Sequence, residues 1–306
     1  MMHGAQHARK DCIYRATQSS LLVIFFSIAI SITEGYAQDI VDGFTRGSGN
    51  TDIALSLMSE SYNQFWVGQE EMDLPPPLGT ISTTSMNLFI AHGITNEVDI
   101  VASLPYISSS ADGDGSGPPD QSDYQDGTLM VKWRPWHQTI GESASFDLTT
   151  AVGIHGPLTD YVVNAPVAIG HGSTNVELRA IGLFRLESGP FASVSLGYSR
   201  RDGIVPDAAI SGFRLGYTTD KIYAEGWLFN QNSQGGTTIG EGIPFQSNGV
   251  DYMRAGVKGA YSITDWLGIS VGGWTTLDGK NVGKATGFGG GIIVQMDELH
   301  RTIIGN

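Results

Sequence analysis

The chain has 306 residues, of which 16% are charged, and its formal net charge is −14. Soluble globular proteins average about 25% charged residues, so this composition favours a protein with much of its surface outside water. An acidic chain lacks the surplus of Lys and Arg that phosphate groups require, which argues against nucleic acid as a partner.

Residues 1–37 have the pattern of a secretory signal peptide. A basic and polar leader precedes the apolar run 21–32 (LLVIFFSIAISI), and Gly35 and Ala37 supply the small residues that a signal peptidase reads. Cleavage is predicted before Gln38. A transmembrane anchor is the alternative, but this run is shorter than the roughly 20 apolar residues that span a bilayer. Cleavage would also remove Cys12, the single cysteine, so we expect no disulfide and no thiolate metal site.

The rest of the chain is predicted to form β-strands, because apolar and polar residues alternate in short segments. The clearest is 174–186, in which Val176 and Leu178 share one face and Glu177 and Arg179 the other. A flexible lead-in is expected at 38–50, before the first strand. About twelve strands of roughly ten residues each are predicted, at 51–67, in the hairpin 85–107, and at 127–136, 145–155, 174–186, 191–198, 208–217, 221–230, 249–261, 266–275 and 285–296.

The connections between these strands alternate between short turns and long polar loops. This alternation is typical of a transmembrane barrel, with tight turns on the periplasmic side and long loops outside. A secreted β-sandwich would also have short strands, but nothing in it requires long and short loops to alternate. The expected fold class is therefore all-β, a transmembrane antiparallel β-barrel of about 12 strands over residues 51–296, followed by a polar tail at 297–306.

Aromatic residues cluster where the predicted strands meet the loops. Their joint placement favours girdles at the two membrane interfaces over ordinary core positions, with outer-membrane lipid as a partner of the outer face. The residues concerned are Phe65, Trp66, Tyr106, Trp133, Trp136, Tyr198, Tyr217, Tyr223, Trp227, Phe229, Tyr261, Trp266 and Trp274.

Three segments resemble a known family. The hairpin AHGITNEVDIVASLPYI, the strand DGTLMVKWRPW and the later YSITDWLGISVGG resemble the outer-membrane barrels named for the meta-pathway of phenol degradation, over roughly 81–296. Asp126-Gly127-Thr128 stands where that family tends to have a fuller glycine-aspartate motif, and the chain ends in Asn306 rather than in a terminal aromatic residue. The resemblance implies a Gram-negative outer-membrane barrel, related in architecture to the long-chain fatty-acid transporters. It would be inserted by the barrel assembly machinery and would admit small hydrophobic or aromatic compounds.

Charged residues at inward-facing positions are the candidates for lining the lumen. A charge inside a narrow barrel must pair or meet water, because burying it alone costs several kcal/mol. Such charges would either line a solute path or form a structural network that fills the interior. The candidates are Asp99, Lys132, Arg134, Asp147, Glu177, Arg179, Arg185, Glu225, Arg254 and Lys258.

Two further motifs are not expected to carry chemistry. His171 and Ser173 stand one residue apart in a long loop without an evident third group, so the arrangement of an outer-membrane phospholipase is not predicted. The acidic loop 112–126 lacks the spacing and terminal Glu of an EF-hand, which favours a solvated loop over a calcium site. The hypothesis is a porin-like passive channel that is not an enzyme and needs no cofactor or metal. A structural or adhesive surface protein, an outer-membrane lipid hydrolase and a secreted soluble β protein are the alternatives, and the oligomeric state is open.

Overall fold

The structure is a computed structural model that describes residues 41–240 and 244–297. The predicted signal peptide and residues 298–306 lie outside the described part. Among the described residues, no helix is long and apolar enough to cross a membrane. A 3-10 turn occupies Phe245–Ser247. The strands of the described part are β1 (Thr51–Tyr62), β2 (Gln64–Val67), β3 (Glu70–Asp73), β4 (Ile81–Gly93), β5 (Val98–Ala111), β6 (Gln121–Tyr124), β7 (Asp126–Ile140), β8 (Ala144–Pro157), β9 (Asn175–Leu186), β10 (Pro190–Arg201), β11 (Ala208–Thr218), β12 (Ile222–Ser233), β13 (Asp251–Ser262), β14 (Leu267–Lys280) and β15 (Thr286–Met296).

Twelve of these strands close into one antiparallel barrel, namely β1, β4, β5 and β7 to β15. Each pairs with the next barrel strand along the chain, and β15 returns to pair with β1 from Thr51 opposite Met296 to Ser61 opposite Thr286. Closure leaves no free strand edge, so the backbone N–H and C=O groups of the wall bond within the wall. The predicted fold class is confirmed.

Two details of the strands differ from the sequence-based prediction. The first strand was predicted over 51–67, but β1 ends at Tyr62, directly before a bend at Asn63. The residues after the bend form the small β2–β3 hairpin. Strand β7 continues through Pro135, with a shift in its pairing to β8 between Trp133 and Trp136. Proline has no N–H to give to a ladder, and such an irregularity is where a strand accommodates it.

The barrel wall has an apolar outer face and a polar inner face. On β9, Val176 and Leu178 are 50% and 59% exposed, whereas Glu177 and Arg179 are 4% and 8% exposed. The predicted faces of this strand are therefore confirmed. Exposed apolar side chains occur all around the barrel, which is the surface that lipid requires and water disfavours. Among them are Leu57, Leu104, Leu129, Val152, Val194, Leu215, Val257, Val271 and Phe288.

The aromatic residues divide between the two faces. Trp133, Trp136, Tyr198, Tyr217, Tyr261 and Trp266 are between 44% and 54% exposed, as girdle residues should be. Trp227 and Trp274 are only 8% and 5% exposed and face inward. The girdle prediction is wrong for these two residues, because the pairing places them on the same side of the wall as the buried carboxylate of Glu225.

Candidate functional site

Residues 41–50 lie inside the barrel and are called the N-terminal plug below. Thr51 pairs with His92 and Met296 at the end of the barrel that carries the short turns, so the plug enters the lumen from that end. Val41, 1% exposed, packs in a core cluster with inward-facing residues of the five consecutive barrel strands from β4 to β9, which are Ala91, Val101, Met130, Ala151 and Ile181. Burying one valine in this way contributes about 1.5–3 kcal/mol. The described part of the segment predicted as a flexible lead-in is therefore packed on the β4–β9 wall.

Lys132 is the main charged anchor of the plug. Its side chain is 1% exposed, and its Nζ lies 2.9 Å from Oδ1 of Asp42 and 3.4 Å from Oδ2 of Asp99. The same ammonium group donates a hydrogen bond of 2.6 Å to the carbonyl oxygen of Phe44. Removing one partner of a buried ion pair typically costs about 3–5 kcal/mol. Lys132 therefore ties the plug to β7.

Arg46 supplies the second charged anchor. Its Nη2 lies 3.0 Å from Asp42 and its Nε 2.6 Å from Asp52 on β1, and its backbone N–H donates to the Asp99 carboxylate at 3.2 Å. Burial raises the pKa of Asp42, but the positive charges of Arg46 and Lys132 outweigh burial and hold this pKa well below its ordinary value. Asp42 is therefore charged at neutral pH and takes part in both anchors.

Further non-covalent contacts hold the plug against the barrel wall. The ring of Phe44 meets that of Phe191 edge to face at 5.2 Å, and the Arg185 guanidinium lies 5.7 Å from the Phe44 centroid. Arg214 Nη2 donates a hydrogen bond of 3.2 Å to the carbonyl oxygen of Val41. All of these plug contacts are non-covalent.

A cavity of about 610 Å³ opens beside the plug at the short-turn end of the barrel. The plug forms one side of it, and β1 and β12 to β15 contribute most of the other. Many inward residues on that opposite wall are small, including Ala54, Ser56, Ala260, Gly268 and Ser270. Small side chains leave this part of the lumen open, whereas the plug fills the part against β4 to β9.

Three further candidate charges, Arg134, Asp147 and Arg185, form a second cluster on β7 to β9. Asp147, 1% exposed, lies 2.8 Å from Nη2 of Arg185, 3.5 Å from Nη1 of Arg134 and 2.6 Å from Nδ1 of His137. This carboxylate is thus surrounded by two arginines and a histidine. These contacts join β7, β8 and β9 on the inner wall, and their part in permeation stays a prediction.

The remaining candidates also face the lumen. Oε1 of Glu177 lies 2.5 Å from Nε of Arg179, and its Oε2 lies 3.5 Å from His155. Glu225 accepts a hydrogen bond of 2.7 Å from the Tyr223 hydroxyl. Lys258 stands opposite Glu225 in the pairing of β12 with β13.

Arg254 belongs to a ladder of arginines and aromatic rings in the half of the lumen nearer the long loops. Its guanidinium carbon lies 4.3 Å from the Trp274 ring and 4.5 Å from the Tyr252 ring. Tyr252 stacks on Phe229 at 6.0 Å, and Arg179 lies 5.8 Å from the Phe229 ring. Because Arg179 is on β9 and Phe229 on β12, the ladder reaches across the lumen rather than along the wall.

Several lumen residues were missed by sequence reasoning. Asp42 and Arg46 precede the first strand, where no periodicity assigns them to a face. Asp52 and Glu60 have the same parity on β1 as Ser56, which lines the cavity. That parity was a usable signal, but the imperfect alternation of the first strand obscured it.

The long loop 158–174 is folded against its neighbours at the other end of the barrel. Val167 and Ile169 are 1% and 5% exposed. The Tyr161 hydroxyl donates to the carboxylate of Asp126 and accepts the N–H of Gly172 at 2.9 Å. The side chain of Gln246 donates a hydrogen bond of 2.7 Å to the carbonyl of His171, which joins this loop to the loop 234–250.

The hydroxyl of Ser173 is engaged away from His171. Its Oγ lies 2.9 Å from Oδ1 of Asp202 and 3.0 Å from Oδ1 of Asn175. Within the described part of the chain, no histidine is hydrogen-bonded to this serine. A serine nucleophile needs a base within hydrogen-bond reach, so these contacts do not form a hydrolytic site.

Acid is expected to loosen the loop 158–174. Burial, together with the positive charge of Arg201, lowers the pKa of His171 from 6.5 to about 4. A lowered histidine pKa means that the folded loop favours the neutral ring. The stabilisation is complete above pH 6.5 and is lost as the pH falls towards 4. Limited proteolysis between pH 7 and pH 5 should therefore cut this loop several-fold faster at the acid end. In His171→Gln the acceleration should disappear, and an equal acceleration in that variant would contradict the assignment.

A closed antiparallel barrel with an apolar outer band and a charged interior defines the chain as an outer-membrane β-barrel protein. Its fold is similar to the COG4313 outer membrane channel from Pseudomonas putida F1, with 14% identity, a TM-score of 0.70, and coverage of 85% of this chain and 100% of that one. The match to the NanC porin covers 79% of this chain and 100% of that chain, with 7% identity and a TM-score of 0.43. The match to the translocator domain of autotransporter NalP from Neisseria meningitidis covers 81% of this chain and 88% of that chain, with 12% identity and a TM-score of 0.43.

No protein-family model and no curated protein matches the sequence. The predicted outer-membrane location is confirmed, because the chain forms a closed barrel with the fold of an outer membrane channel. The relation to the phenol-degradation barrels stays a prediction.

Proposed function

We propose that the protein is a passive outer-membrane channel for small hydrophobic or aromatic compounds, and that the N-terminal plug controls its opening. The observation that carries the proposal is the way the lumen is filled. The plug occupies one side through non-covalent contacts, and a cavity of about 610 Å³ opens on the other. A barrel with a purely structural role does not require a plug that is held only by non-covalent contacts.

Aromatic residues on the inner wall support the proposal that the solute is apolar or aromatic. Trp227 and Trp274, both buried, form a cluster with Tyr62 and Phe229 on the inner wall. The indole of Trp274 lies against Gly287, where an added Cβ would come within 2.7 Å of the indole Nε1. Aromatic faces in a lumen offer favourable contacts to planar solutes. The contacts of Ser173 with Asp202 and Asn175 favour a channel over a lipid hydrolase.

Single-channel recording in planar bilayers tests the proposal. The purified protein is first shown to be a folded barrel by its heat-dependent mobility in SDS gels. We then expect small, discrete conductance steps, and brief current interruptions when phenol is added as a model aromatic solute. A folded barrel without conductance steps, with or without the plug, would favour the structural or adhesive alternative.

A further inference from the structure

The lumen holds two arginines in the same aromatic ladder, but among the described residues only one of them is in an ion pair. Arg179 stacks on Phe229, and its Nε lies 2.5 Å from the carboxylate of Glu177. The Arg254 guanidinium lies over the rings of Tyr252 and Trp274, and among the described residues it makes no ion pair or hydrogen bond. The side chain is half-buried, but its Nε is fully buried, and a buried donor left unpaired is costly. Arg254 therefore differs from Arg179 in having no carboxylate within ion-pair distance among the described residues.

Two buried polar groups beside Arg254 are also unpartnered. Thr276 pairs with Arg254 across β13 and β14, is 2% exposed, and its Oγ1 has no hydrogen-bond partner in the described structure. Trp274 is 5% exposed, and its Nε1–H is likewise unpaired there. Nearly all buried polar side chains in proteins find partners. The indole N–H and the guanidinium N–H groups can only donate, and the threonine hydroxyl can donate as well.

The local backbone directs these groups together. The pairing of β13 with β14 shifts between Met253 and Arg254. Bulges of this kind re-aim side chains next to functional sites. Because the rings of Tyr252 and Trp274 lie over the guanidinium, its N–H donors are the groups left for a polar ligand. A carboxylate is planar and accepts two parallel N–H bonds at such an edge.

From these observations we infer that the lumen contains a binding site for a carboxylate carried on an aromatic body. Arg254 is the bidentate donor, Thr276 adds a hydroxyl, and the neighbouring rings contact the aromatic part of the ligand. Glu60 is close enough to interact electrostatically with Arg254 but does not form an ion pair with it. Glu60 therefore competes with the ligand for Arg254, and its charge weakens anion binding. The inference rests on the proposed function, since it names the solute class of that channel.

Binding of sodium benzoate to the purified full-length barrel in detergent tests the inference, with tryptophan emission as the signal because Trp274 contacts Arg254. Benzamide has the same shape without the charge. Wild-type protein should show saturable quenching by benzoate and at least tenfold weaker binding of benzamide. Arg254→Met should weaken benzoate binding at least tenfold, and Thr276→Val several-fold. Glu60→Gln should strengthen it. Arg200→Met, on the exposed face of β10, should match wild type.

Equal binding of benzoate and benzamide by wild type would overturn the inference, as would unchanged benzoate binding in Arg254→Met. If Arg254→Met fails to fold, Glu60→Gln decides, because a gain in affinity is not produced by misfolding. Failure of the site and failure of the channel are distinguishable. Benzoate binding without conductance steps would contradict the channel proposal but support the binding site. Conductance steps with the same benzoate affinity in all variants would contradict the binding site but support the channel proposal.

Discussion

Deleting residues 41–49 is expected to raise the single-channel conductance several-fold. The plug fills the side of the lumen against β4 to β9, and its removal joins that volume to the cavity of about 610 Å³. The barrel should survive the deletion, because β1 begins at Thr51 and pairs with β4 and β15 over its length. Planar-bilayer recording of the heat-modifiable barrel measures the change.

A disulfide lock is the matched control for the deletion. An ideal Cβ on Gly43 would lie 2.9 Å from the Cβ of Leu183, and the Cβ atoms of a disulfide lie about 3.5–4.5 Å apart, so a small shift of the plug accommodates the bond. In Gly43→Cys/Leu183→Cys, oxidation should hold the conductance at its lowest level, and a reductant should restore the opening. Unchanged conductance in the deletion variant, or opening events in the oxidised double variant, would show that the plug does not control the passage.

The barrel could be predicted from the sequence because its signals are local. On β9 the alternation of Val176, Glu177, Leu178 and Arg179 assigns each residue to a face within a few positions. The inward orientation of Trp227 was predictable by the same rule, because it stands two positions after Glu225 and must lie on the same side of the wall. The girdle interpretation used nearness to a loop instead of parity, and it therefore placed this residue in lipid.

The plug could not be predicted, because its contacts depend on closure of the barrel. Its sequence, VDGFTRGSGN, has no period of two or of 3.6 residues. Asp42 and Lys132 are 90 positions apart and meet only when β7 is in place. The stacking of Arg254 depends on a shift in pairing between two strands, and no residue type marks that shift in the sequence. Sequence patterns thus identified the charged candidates but not which of them form ion pairs.

A bulky side chain on the wall opposite the plug is expected to narrow the passage. Ala260 lines the cavity on β13, so Ala260→Trp places an indole in the open part of the lumen and should reduce the conductance several-fold. Its side chain already has a Cβ, so the change adds volume without demanding a new backbone conformation. Single-channel recording measures the effect, and Ala255→Trp is the matched control. Ala255 lies on the same strand but on the lipid-facing side, opposite Leu228, which is 38% exposed.

Combining Ala260→Trp with deletion of residues 41–49 locates the passage. With the plug in place, solutes must pass along the small residues of β1 and β13 to β15, so the added indole should have its full effect. Without the plug the lumen is wider, and the same indole should reduce the conductance much less. If Ala260→Trp acted equally in both backgrounds, or no more than Ala255→Trp, the passage would not run between the plug and this wall. The dependence of the indole's effect on the plug therefore tests both sides of the proposed pathway in one comparison.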